Sequence, residues 1–443
     1  MFVGLTNTPR DYAWGSRTAI ASLLGREASG GPEAELWLGA HPESPAIVTD
    51  ATGSLAGRRL DDLIARDPAA FVGAGRDRLP FLMKVLAADA PLSLQVHPDD
   101  AQAHEGFARE NEARVKVGAP DRNYRDDSAK PELILALSPT FEALAGFRHV
   151  SESRMLLAEL ISTASGDERA PLSRFADRLA GGDPVATGST GSSRDVIFEG
   201  MPEQRETVPD HGNGGNSLAD AVEWLLRGGA DVDALSAAIA STAARMPDTS
   251  SFAREWETVR DLHADYPGDP GIAISLLLNR ISLLQGQALA LPAGSLHAYL
   301  QGVGIEVMKT SDNVLRGGFT SKHVDVEELL RVVRFETLPS PVERGHQLEA
   351  GITVYRGPTD DFVLARLDLG ESGGEHGYAL AGPEQVGFDL SGPAVALCLS
   401  GGATIRGRQG AANLARGDAT LVTPDEGHLE VSGSAVVVIA TTP

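Results

Sequence analysis

The chain has 443 residues, 42% of them apolar, and a formal net charge of −23, which together predict roughly two or three globular domains and argue against nucleic acid and anionic membranes as partners. Its single cysteine, Cys398, excludes an internal disulfide framework and a zinc site built on several thiolates. No apolar run is long enough to span a membrane and no secretion signal is recognisable, so we expect a cytoplasmic protein.

The first 150 residues are predicted to form short strands and turns, because Gly and Pro punctuate their apolar runs. The predicted strands lie in ELWLGAHPESPAIV, PFLMKVLAADAPLSLQV, KPELILAL and TFEALAGF. One helix interrupts them in DDAQAHEGFAREN. It is predicted to begin at Pro98-Asp99-Asp100, where the acidic side chains suit the helix dipole.

Helices are predicted after His149, where apolar residues recur at helical spacing. The first, SESRMLLAELIS, has Ser151 as its predicted cap. The others are LSRFADRLA, SLADAVEWLLRGG, DVDALSAAIASTAARM, SSFAREWETVRDLHADY and IAISLLLNRIS. A Gly/Ser/Asp-rich tract at about 181–217 is predicted to be a mobile loop, because such a composition buries little surface.

Strands are predicted again from Gln285, in ALALPAGSLHAYL and GIEVMK, followed by the charged amphipathic segment VDVEELLRVVRF. From 352 to 443 short alternating strands are joined by Gly-rich turns, which is typical of a small β-sandwich or barrel. The chain is therefore predicted to be mainly β, with a helical insert between its β regions.

The segment PLSLQVHPDD alternates polar and apolar residues over one short strand. Its polar side chains, Ser93, Gln95 and His97, share one strand face, and Leu92, Leu94 and Val96 share the other. A polar row of this kind is usually a solvated surface. However, Gln95 and His97 lie two residues apart and can ligate one ion on the same side of a sheet.

Two other segments offer further ligands. Glu132 follows Pro131 at the start of a strand, where a solvated strand end is the ordinary alternative, and a Pro-x-Gly turn delivers His297 onto a strand with Tyr299 on the same face. One carboxylate, two imidazoles and an amide oxygen suit zinc or another divalent first-row ion. Such a site leaves positions open for water or a polyhydroxy substrate. The residue chemistry therefore predicts a metal centre formed by Gln95, His97, Glu132 and His297.

The segment GIEVMKTSDNVLRGGFTSKHVDV gathers Lys309, Arg316, Lys322 and His323 within fifteen positions. Together with Lys84, Ser93 and Lys130 these residues could form a positive pocket for a small anion, despite the acidic chain. A solvated loop is the favoured interpretation for Lys309 and His323. Arg316, between Asn313 and a Gly-Gly turn, is the better candidate for a fixed guanidinium facing an anion or a developing charge.

Several blocks, in this order, resemble the type I mannose-6-phosphate isomerases, a family of zinc-dependent cupin enzymes. The blocks are YAWGS, ELWLGAHPESPA, FLMKVLAADAPLSLQVHPDD, NYRDDSAKPELILAL, YPGDPGIAISLLLN and LPAGSLHAYLQGVGIEVMKTSDNVLRGGFTSKHVDV. The resemblance covers most of the chain. Two departures stand out, since the family usually has histidine where this chain has Ala129 and proline where it has Ser321. Neither departure removes a metal ligand, so they bear mainly on substrate preference.

The resemblance implies one zinc ion per chain, held by Gln95, His97, Glu132 and His297. It implies catalytic roles for Arg316, Lys130, Glu306, Tyr299 and Asp312, and substrate or phosphate binding by Ser93, Lys84, Lys322 and Arg316. The expected fold is a cupin-type catalytic β-barrel formed by 1–150 and 269–335, an α-helical domain inserted at 151–268 with the loop at about 181–217, and a second cupin-like β-domain at 336–443.

The implied reaction interconverts mannose 6-phosphate and fructose 6-phosphate through a cis-enediol. The identity of the base stays open at this stage. Two alternatives compete with this function, a metal-dependent cupin oxygenase using iron and a non-catalytic sugar-binding cupin. Gln95 fits an iron oxygenase less well, and retention of all four ligands together with Arg316 argues against a protein that only binds sugar. The expected partner is a small sugar phosphate, and the expected state is a monomer.

Overall fold

The computed structural model describes residues 1–49, 54–179, 214–337, 341–370 and 382–443, without the side chains of 214–216. The described residues form two antiparallel ten-stranded sheets and a group of helices. None of the helices in these ranges has the length and apolar character needed to cross a membrane.

The first part of the chain is built mainly of strands. It contains β1 (Phe2–Thr6), α1 (Ala19–Leu23), β2 (Glu35–Leu38), β3 (Ile47–Val48), α2 (Leu60–Arg66), α3 (Pro68–Val72), β4 (Phe81–Ala88), β5 (Leu94–Val96), α4 (Asp100–Glu112), β6 (Glu132–Ala136) and β7 (Thr140–Phe147). The predicted start of α4 is confirmed: Asp99 is its N-cap, and its carboxylate and the Gln102 side chain form a reciprocal capping box.

Helices dominate the middle of the chain. They are α5 (Val150–Thr163), a 3₁₀ turn (Gly166–Glu168), α6 (Arg169–Leu179), α7 (Gly214–Arg227), α8 (Ala230–Ala243), α9 (Ala253–Asp265) and α10 (Gly271–Ser275). The predicted loop at 181–217 lies outside the described residues as far as 213, and its last four residues begin α7.

Two details of the helical prediction were wrong. The N-cap of α5 is His149, whose ring nitrogen accepts from the Ser151 backbone, so Ser151 lies within the first turn. The segment IAISLLLNRIS is not one helix, because only its first residues belong to α10 and the rest enters β8 (Leu278–Leu284). A short apolar run does not distinguish a buried strand from a buried helix.

The remaining elements are again mostly strands. They are β8, β9 (Ala288–Leu291), β10 (His297–Lys309), β11 (Leu315–Gly318), α11 (Val326–Val332), β12 (Val342–Glu343), β13 (His346–Glu349), β14 (Ile352–Arg356), β15 (Val363–Leu369), β16 (Gln385–Asp389), β17 (Ala394–Arg406), β18 (Ala411–Ala415), β19 (Ala419–Val422), a 3₁₀ turn (Pro424–Glu426) and β20 (His428–Thr441). The predicted strands of the tail are thus present.

The long strand β10 organises the first sheet. Along its thirteen residues it pairs antiparallel with β4, β5, β6 and β7. Strands β2, β8, β9, β11 and β12 extend the sheet from these partners. One strand that contacts four others requires the sheet to curve around it, which gives the cupin-type barrel that holds the site.

The interior of this barrel contains both polar and apolar residues. Lys84, Glu132 and Glu306 lie on the inner faces of β4, β6 and β10. An apolar cluster that includes Ile134, Phe141 and Tyr299 fills the interior beside them. The polar groups are therefore held between packed side chains rather than in bulk water.

The outer face of the barrel is also covered. Leu94 and Val96 of β5 are fully buried in a cluster with the helices of the insert. Leu92 does not share this environment, because it precedes β5 and packs with the interior cluster instead. Strand alternation predicted that Leu92 shares the position of Leu94 and Val96, and that prediction is wrong, whereas the polar row of the strand itself faces the barrel interior.

The second sheet combines the two ends of the chain. Its strand order is β13-β14-β15-β20-β17-β19-β1-β3, with β16 and β18 beside β20 and β17. The N-terminal strand β1 pairs with β19, Phe2 opposite Val422. A large apolar cluster, which includes Val85, Ile305, Leu364 and Val436, joins this sheet to the outer face of the barrel.

Candidate metal centre

Three strands bring the predicted ligands together. Gln95 of β5 lies directly opposite His297 at the start of β10. Glu132, at the start of β6, lies opposite Met308 of β10. His97 follows β5 immediately and points to the same side as Gln95, as the alternation of strand side chains requires. Residues far apart in the chain thus converge in the barrel interior.

The ligand atoms are within a few ångströms of one another. Glu132 Oε1 lies 3.4 Å from Nε2 of His97, and Glu132 Oε2 lies 3.3 Å from Nε2 of His297. Within the described part of the chain these three residues are the group whose donor atoms, all within 4.8 Å of one another, could hold a metal ion. The amide of Gln95 lies 3.4 Å from Nε2 of His297 and completes the predicted set.

Both imidazoles are oriented for metal binding. Nδ1 of His97 donates to the carbonyl oxygen of Asn313 at 2.7 Å, and Nδ1 of His297 donates to that of Ser295 at 2.9 Å. Because a carbonyl oxygen can only accept, the proton of each ring lies on Nδ1 and the lone pair of Nε2 faces the centre. This outer shell fixes the tautomer that ligation needs.

The protonation states suit a cation. Burial, reinforced by the Lys130 ammonium, lowers the pKa of His97 to about 4, so its ring is neutral at physiological pH. Burial alone would raise the pKa of Glu132, but the charge of the Lys130 ammonium outweighs it and holds that pKa well below its ordinary value. An ionised Glu132 and a neutral His97 are the forms that bind a metal.

These residues fit zinc. Glu132 is 1% exposed, and its Oε2 has no hydrogen-bond donor among the described residues. A buried carboxylate oxygen without a donor is costly unless a cation or a water faces it. Two imidazoles, one carboxylate and one amide oxygen form a hard-to-borderline set of the kind zinc accepts, and such a set leaves room for substrate oxygens.

Lys130 lies directly beside the ligands. Its ammonium is 2.6 Å from Glu132 Oε1 and 3.4 Å from Nε2 of His97. The residue is 7% exposed, so this is a charge held inside the barrel. Lys130 can therefore donate a proton or a hydrogen bond at the centre itself.

A second buried charge network lies next to the centre. Lys84 donates to Glu306 Oε2 at 3.1 Å and lies 3.6 Å from Glu35 Oε1. Glu35 also accepts from the indole of Trp37, and the Lys84 ammonium lies over that ring. Burial raises the pKa of Glu306 despite the neighbouring Lys84 charge. Burial also raises the pKa of Tyr299, whose ring contacts that of His297.

The remaining predicted residues lie towards the rim. Arg316 of β11 is opposite Gln95, is half-buried, and forms no ion pair within the described ranges. Burial and the charge of Arg125 lower its pKa. Burial, Arg316 and Arg125 likewise lower the pKa of Lys322. Ser93, half-buried, immediately precedes β5. These side chains form a positive rim on an acidic protein.

The sequence did not indicate several supporting residues. His41 is 3% exposed, and its Nε2 lies 3.3 Å from Asp312 Oδ2. Burial would raise the pKa of Asp312, but the hydrogen bond and charge of His41 outweigh it and lower that pKa. Arg125, paired with Glu43 at 3.2 Å, supplies the third cation of the rim. The one sequence signal was that each lies in a block already noted for the family, ELWLGAHPESPA or NYRDDSAKPELILAL.

The two departures from the family pattern occupy different environments. Ala129 is buried, and its N–H donates to Asp100 Oδ1 at 2.9 Å. Ser321 is exposed, next to Lys322. Neither residue contacts the ligand atoms in the described structure, which agrees with an intact centre.

Known proteins resemble this chain over its whole length. The sequence model of the phosphomannose isomerase type I catalytic domain matches residues 2–150. The mannose-6-phosphate isomerase of Escherichia coli K12 is 33% identical over 440 residues, which cover 97% of this chain and 96% of the relative. The human mannose-6-phosphate isomerase is 28% identical over 388 residues, covering 81% and 80%. A solved mannose 6-phosphate isomerase with zinc bound superposes with a TM-score of 0.79 at 29% identity, covering 100% of this chain and 99% of the other.

Proposed function

The chain belongs to the type I mannose-6-phosphate isomerase family, and we propose that the buried centre of His97, Glu132 and His297 is where it interconverts mannose 6-phosphate and fructose 6-phosphate. The convergence of these three groups within 4.8 Å is the observation that carries the assignment of the site. The relatives are named isomerases, which favours this activity over the oxygenase and sugar-binding alternatives.

The reaction moves one carbon-bound proton. The aldose loses the proton on C2 and gains one on C1, while the carbonyl passes from C1 to C2 and a hydroxyl proton passes from O2 to O1. These changes need an acceptor near both carbons, a donor for the oxygens and an anchor for the phosphate. Gln95, His97, Glu132 and His297 would hold zinc, which when bound supplies a Lewis acid that orients and polarises the sugar oxygens.

We propose that Glu306 accepts the carbon-bound proton and transfers it between C2 and C1. Its carboxylate is buried in the barrel, and burial raises its pKa, as a proton acceptor near neutral pH requires. Lys84, at 3.1 Å, stabilises the ionised form. Because the Lys84 ammonium already has two carboxylate neighbours, we propose that it acts through Glu306 more than through direct contact with phosphate.

The oxygens of the sugar have several candidate partners. Lys130, beside Glu132, can donate to an enediolate oxygen or pass a proton between O1 and O2. Tyr299 and Asp312 can contact hydroxyl groups, Tyr299 from the interior and Asp312 from the rim. Each role is a proposal that a single substitution can test.

The phosphate is best accommodated at the rim. Arg316 is half-buried and has no carboxylate partner in the described structure. Arg125 lowers the pKa of Arg316, and both arginines lower the pKa of Lys322, so the three cations lie close together. A guanidinium held by its strand can bind a phosphate in bidentate fashion. Ser93 can add a hydroxyl donor. Arg316 therefore either anchors the phosphate or stabilises the enediolate.

An isomerase assay combined with metal analysis tests the function. The purified protein should contain about one zinc per chain and convert mannose 6-phosphate to fructose 6-phosphate. Chelation should abolish activity and added zinc should restore it. Glu306→Gln should keep the zinc and lower kcat by about 10²–10⁴. A protein that holds iron and is inactive on mannose 6-phosphate would refute the proposed function.

Arg316→Ala separates binding of the substrate from binding of the metal. The variant should lose turnover far more than zinc, because Arg316 lies opposite Gln95 but is not a ligand. Lys309→Ala is a suitable control, since Lys309 forms its ion pair with Asp100 on the protein surface. Unchanged turnover in Arg316→Ala would remove this residue from the mechanism.

We also propose that the enzyme is a cytoplasmic monomer. The net charge of −23 favours solubility and disfavours self-association, and its only cysteine is buried and free, as suits a reducing compartment. Light scattering after gel filtration tests the monomeric state, and cell fractionation tests the cytoplasmic location. A stable dimer, or recovery outside the cytoplasm, would contradict them.

A further inference from the structure

The segment that follows the helical insert contacts the chain beside β5, which carries Gln95, and beside β11, which carries Arg316. We call residues 266–271 the exit segment. Asp269 lies in this segment, between α9 and α10. The hydroxyl of Tyr266 donates to the carbonyl of Pro91, just before Ser93 and β5. Asp269 contacts the chain just after β11. One short segment thus contacts the backbone of both strands at one end of the Gln95–Arg316 pair.

The carboxylate of Asp269 is shared between two backbone donors. Its Oδ1 accepts from the N–H of Gly271, the first residue of the short helix α10, at 2.7 Å. Its Oδ2 accepts from the N–H of Phe319 at 2.9 Å. The second bond leaves the exit segment and ties it to the turn that separates Arg316 from Lys322.

That turn has a backbone conformation that its sequence does not favour. Phe319 has φ of 53°, a left-handed value that is unusual for a bulky side chain. Residues held in such regions persist only where surrounding contacts enforce them, and they are concentrated at functional sites. Phe319 is 2% exposed and packs at 5.8 Å from the Tyr266 ring. The exit segment therefore supplies the contacts that hold the unfavourable conformation.

The packing at this junction leaves no space for larger residues. A Cβ on Gly318 would lie 2.7 Å from Asp269 Oδ1, and a Cβ on Gly271 would lie 2.8 Å from both that oxygen and the Phe319 ring. Gly318 also has φ of 156°. Two glycines thus allow the two backbones to approach until one carboxylate can bind both.

We propose that Asp269 is a positioning residue for substrate phosphate, because its carboxylate fixes the 318–320 turn and so sets the separation of Arg316 and Lys322. The inference rests on the proposed role of Arg316 and Lys322 in binding phosphate. Downstream of the turn, Lys322 N–H donates to Thr320 Oγ1 at 3.1 Å, which continues the ordered backbone to the lysine. The exit segment thereby contributes to substrate binding without supplying a residue that touches the substrate.

The test is the isosteric substitution Asp269→Asn. An amide keeps one acceptor oxygen, but its NH₂ then faces a backbone N–H, so one of the two bonds is lost. The KM for mannose 6-phosphate and the Ki of inorganic phosphate as a competitive inhibitor should rise together, by about tenfold, as expected for a buried donor left without its partner. The zinc content should equal that of the unchanged protein.

Two further variants complete the experiment. Asp265→Asn removes the same charge from an exposed position at the end of α9, and it should change neither constant. Gly271→Ala leaves the carboxylate in place but drives a methyl group against it and against Phe319. It should raise both KM and Ki. If Asp269→Asn does not fold, Gly271→Ala tests whether the contact of Asp269 with the turn affects phosphate binding.

The outcomes are distinguishable. A fall in Tm with unchanged KM and Ki would limit Asp269 to a role in stability, and a loss of zinc in Asp269→Asn would also overturn the inference. If Arg316→Ala raises Ki and Asp269→Asn does not, the inference about Asp269 fails alone. If Arg316→Ala leaves the Ki of phosphate unchanged, the proposed phosphate role itself fails, and the inference fails with it.

Discussion

His97 and His297 show how single side chains prepare the centre. Each donates Nδ1–H to a backbone carbonyl, at Asn313 and Ser295, so each Nε2 faces Glu132. Asn313 is itself held, since its Nδ2 donates to the carbonyl oxygens of Asp126 and Ser128. The ligand geometry is thus determined by hydrogen bonds outside the ligand set, which keep the rings from rotating when the centre exchanges substrate.

Glu132→Gln should strongly weaken zinc binding. It removes the one carboxylate of the set and puts an amide beside Lys130, so metal affinity should fall by more than the roughly 10–100-fold typical of outer-shell changes. Metal analysis after dialysis measures the effect. Glu142→Gln, which breaks a partly buried pair with Arg280 elsewhere in the barrel, is the matched control and should retain zinc. Full zinc occupancy in Glu132→Gln would contradict the assignment of the ligand.

Lys322 should limit substrate binding at alkaline pH. Burial and the charges of Arg316 and Arg125 lower its pKa below 10.5. A lysine is charged below its pKa, so its attraction for phosphate is present at neutral pH and is lost as the pH rises through that lowered value. The KM should therefore increase with pH in the alkaline range below 10.5.

The matched variant for this pH dependence is Lys322→Arg. Arginine stays protonated throughout that range, so its KM should remain flat where that of the unchanged enzyme rises. Steady-state kinetics at constant ionic strength give both profiles. The same alkaline increase in the two enzymes would assign the titration to another group.

Among the secondary-structure elements, strand β10 positions most of the residues of the site. It presents His297 and Tyr299 near its start and Glu306 further along, and it pairs with the strands that carry Gln95, Glu132 and Lys84. Strand periodicity predicted which residues share a face, because that depends only on local geometry. It could not predict which strands are neighbours, since pairing between distant segments is decided by the whole sheet.

Helix α9 illustrates how the insert is held together. Trp256 is fully buried, and its indole donates to Ser250 Oγ at 2.9 Å. Trp256→Ala should lower the free energy of unfolding by about 3–5 kcal/mol, because it removes a large ring from a packed cluster that reaches Leu94 and Val96 of β5. Denaturant titration measures the loss.

Met155→Ala is the control for that substitution. Met155 lies on α5 of the same insert but is 56% exposed, so its truncation should change stability by at most about 0.5 kcal/mol. Equal effects of the two substitutions would mean that the insert is not packed as described.

The whole molecule is two β structures joined face to face, with the helical insert on the side of the metal strands. The apolar cluster between the sheets includes Val3, Val85 and Val436 from distant parts of the chain. Because β1 pairs with β19, the N-terminal residues complete the second sheet rather than the catalytic one. The outer face of the catalytic barrel is therefore covered by a sheet that combines the N-terminal strand with the C-terminal strands.

Removal of zinc should destabilise the entire protein. A ligand that binds only the folded state stabilises it by about 2.7 kcal/mol at a free concentration 100 times its dissociation constant. Chelation should therefore lower Tm in calorimetry, and zinc, but not magnesium, should restore it. Glu132→Gln should show little further decrease on chelation. An identical Tm with and without chelator would argue that the centre holds no metal.

The sequence by itself determined the ligand types, the strand faces that carry them and most element positions, because side-chain chemistry and backbone periodicity are local. Gln95, His97, Glu132 and His297 could be predicted as ligands on that basis. Tertiary structure alone decided that Lys84 lies between Glu35 and Glu306, that His41 faces Asp312, and that Asp269 holds the turn after Arg316. Those contacts join residues from about 50 to more than 270 positions apart, and only the closed barrel and its packed insert determine which of them meet.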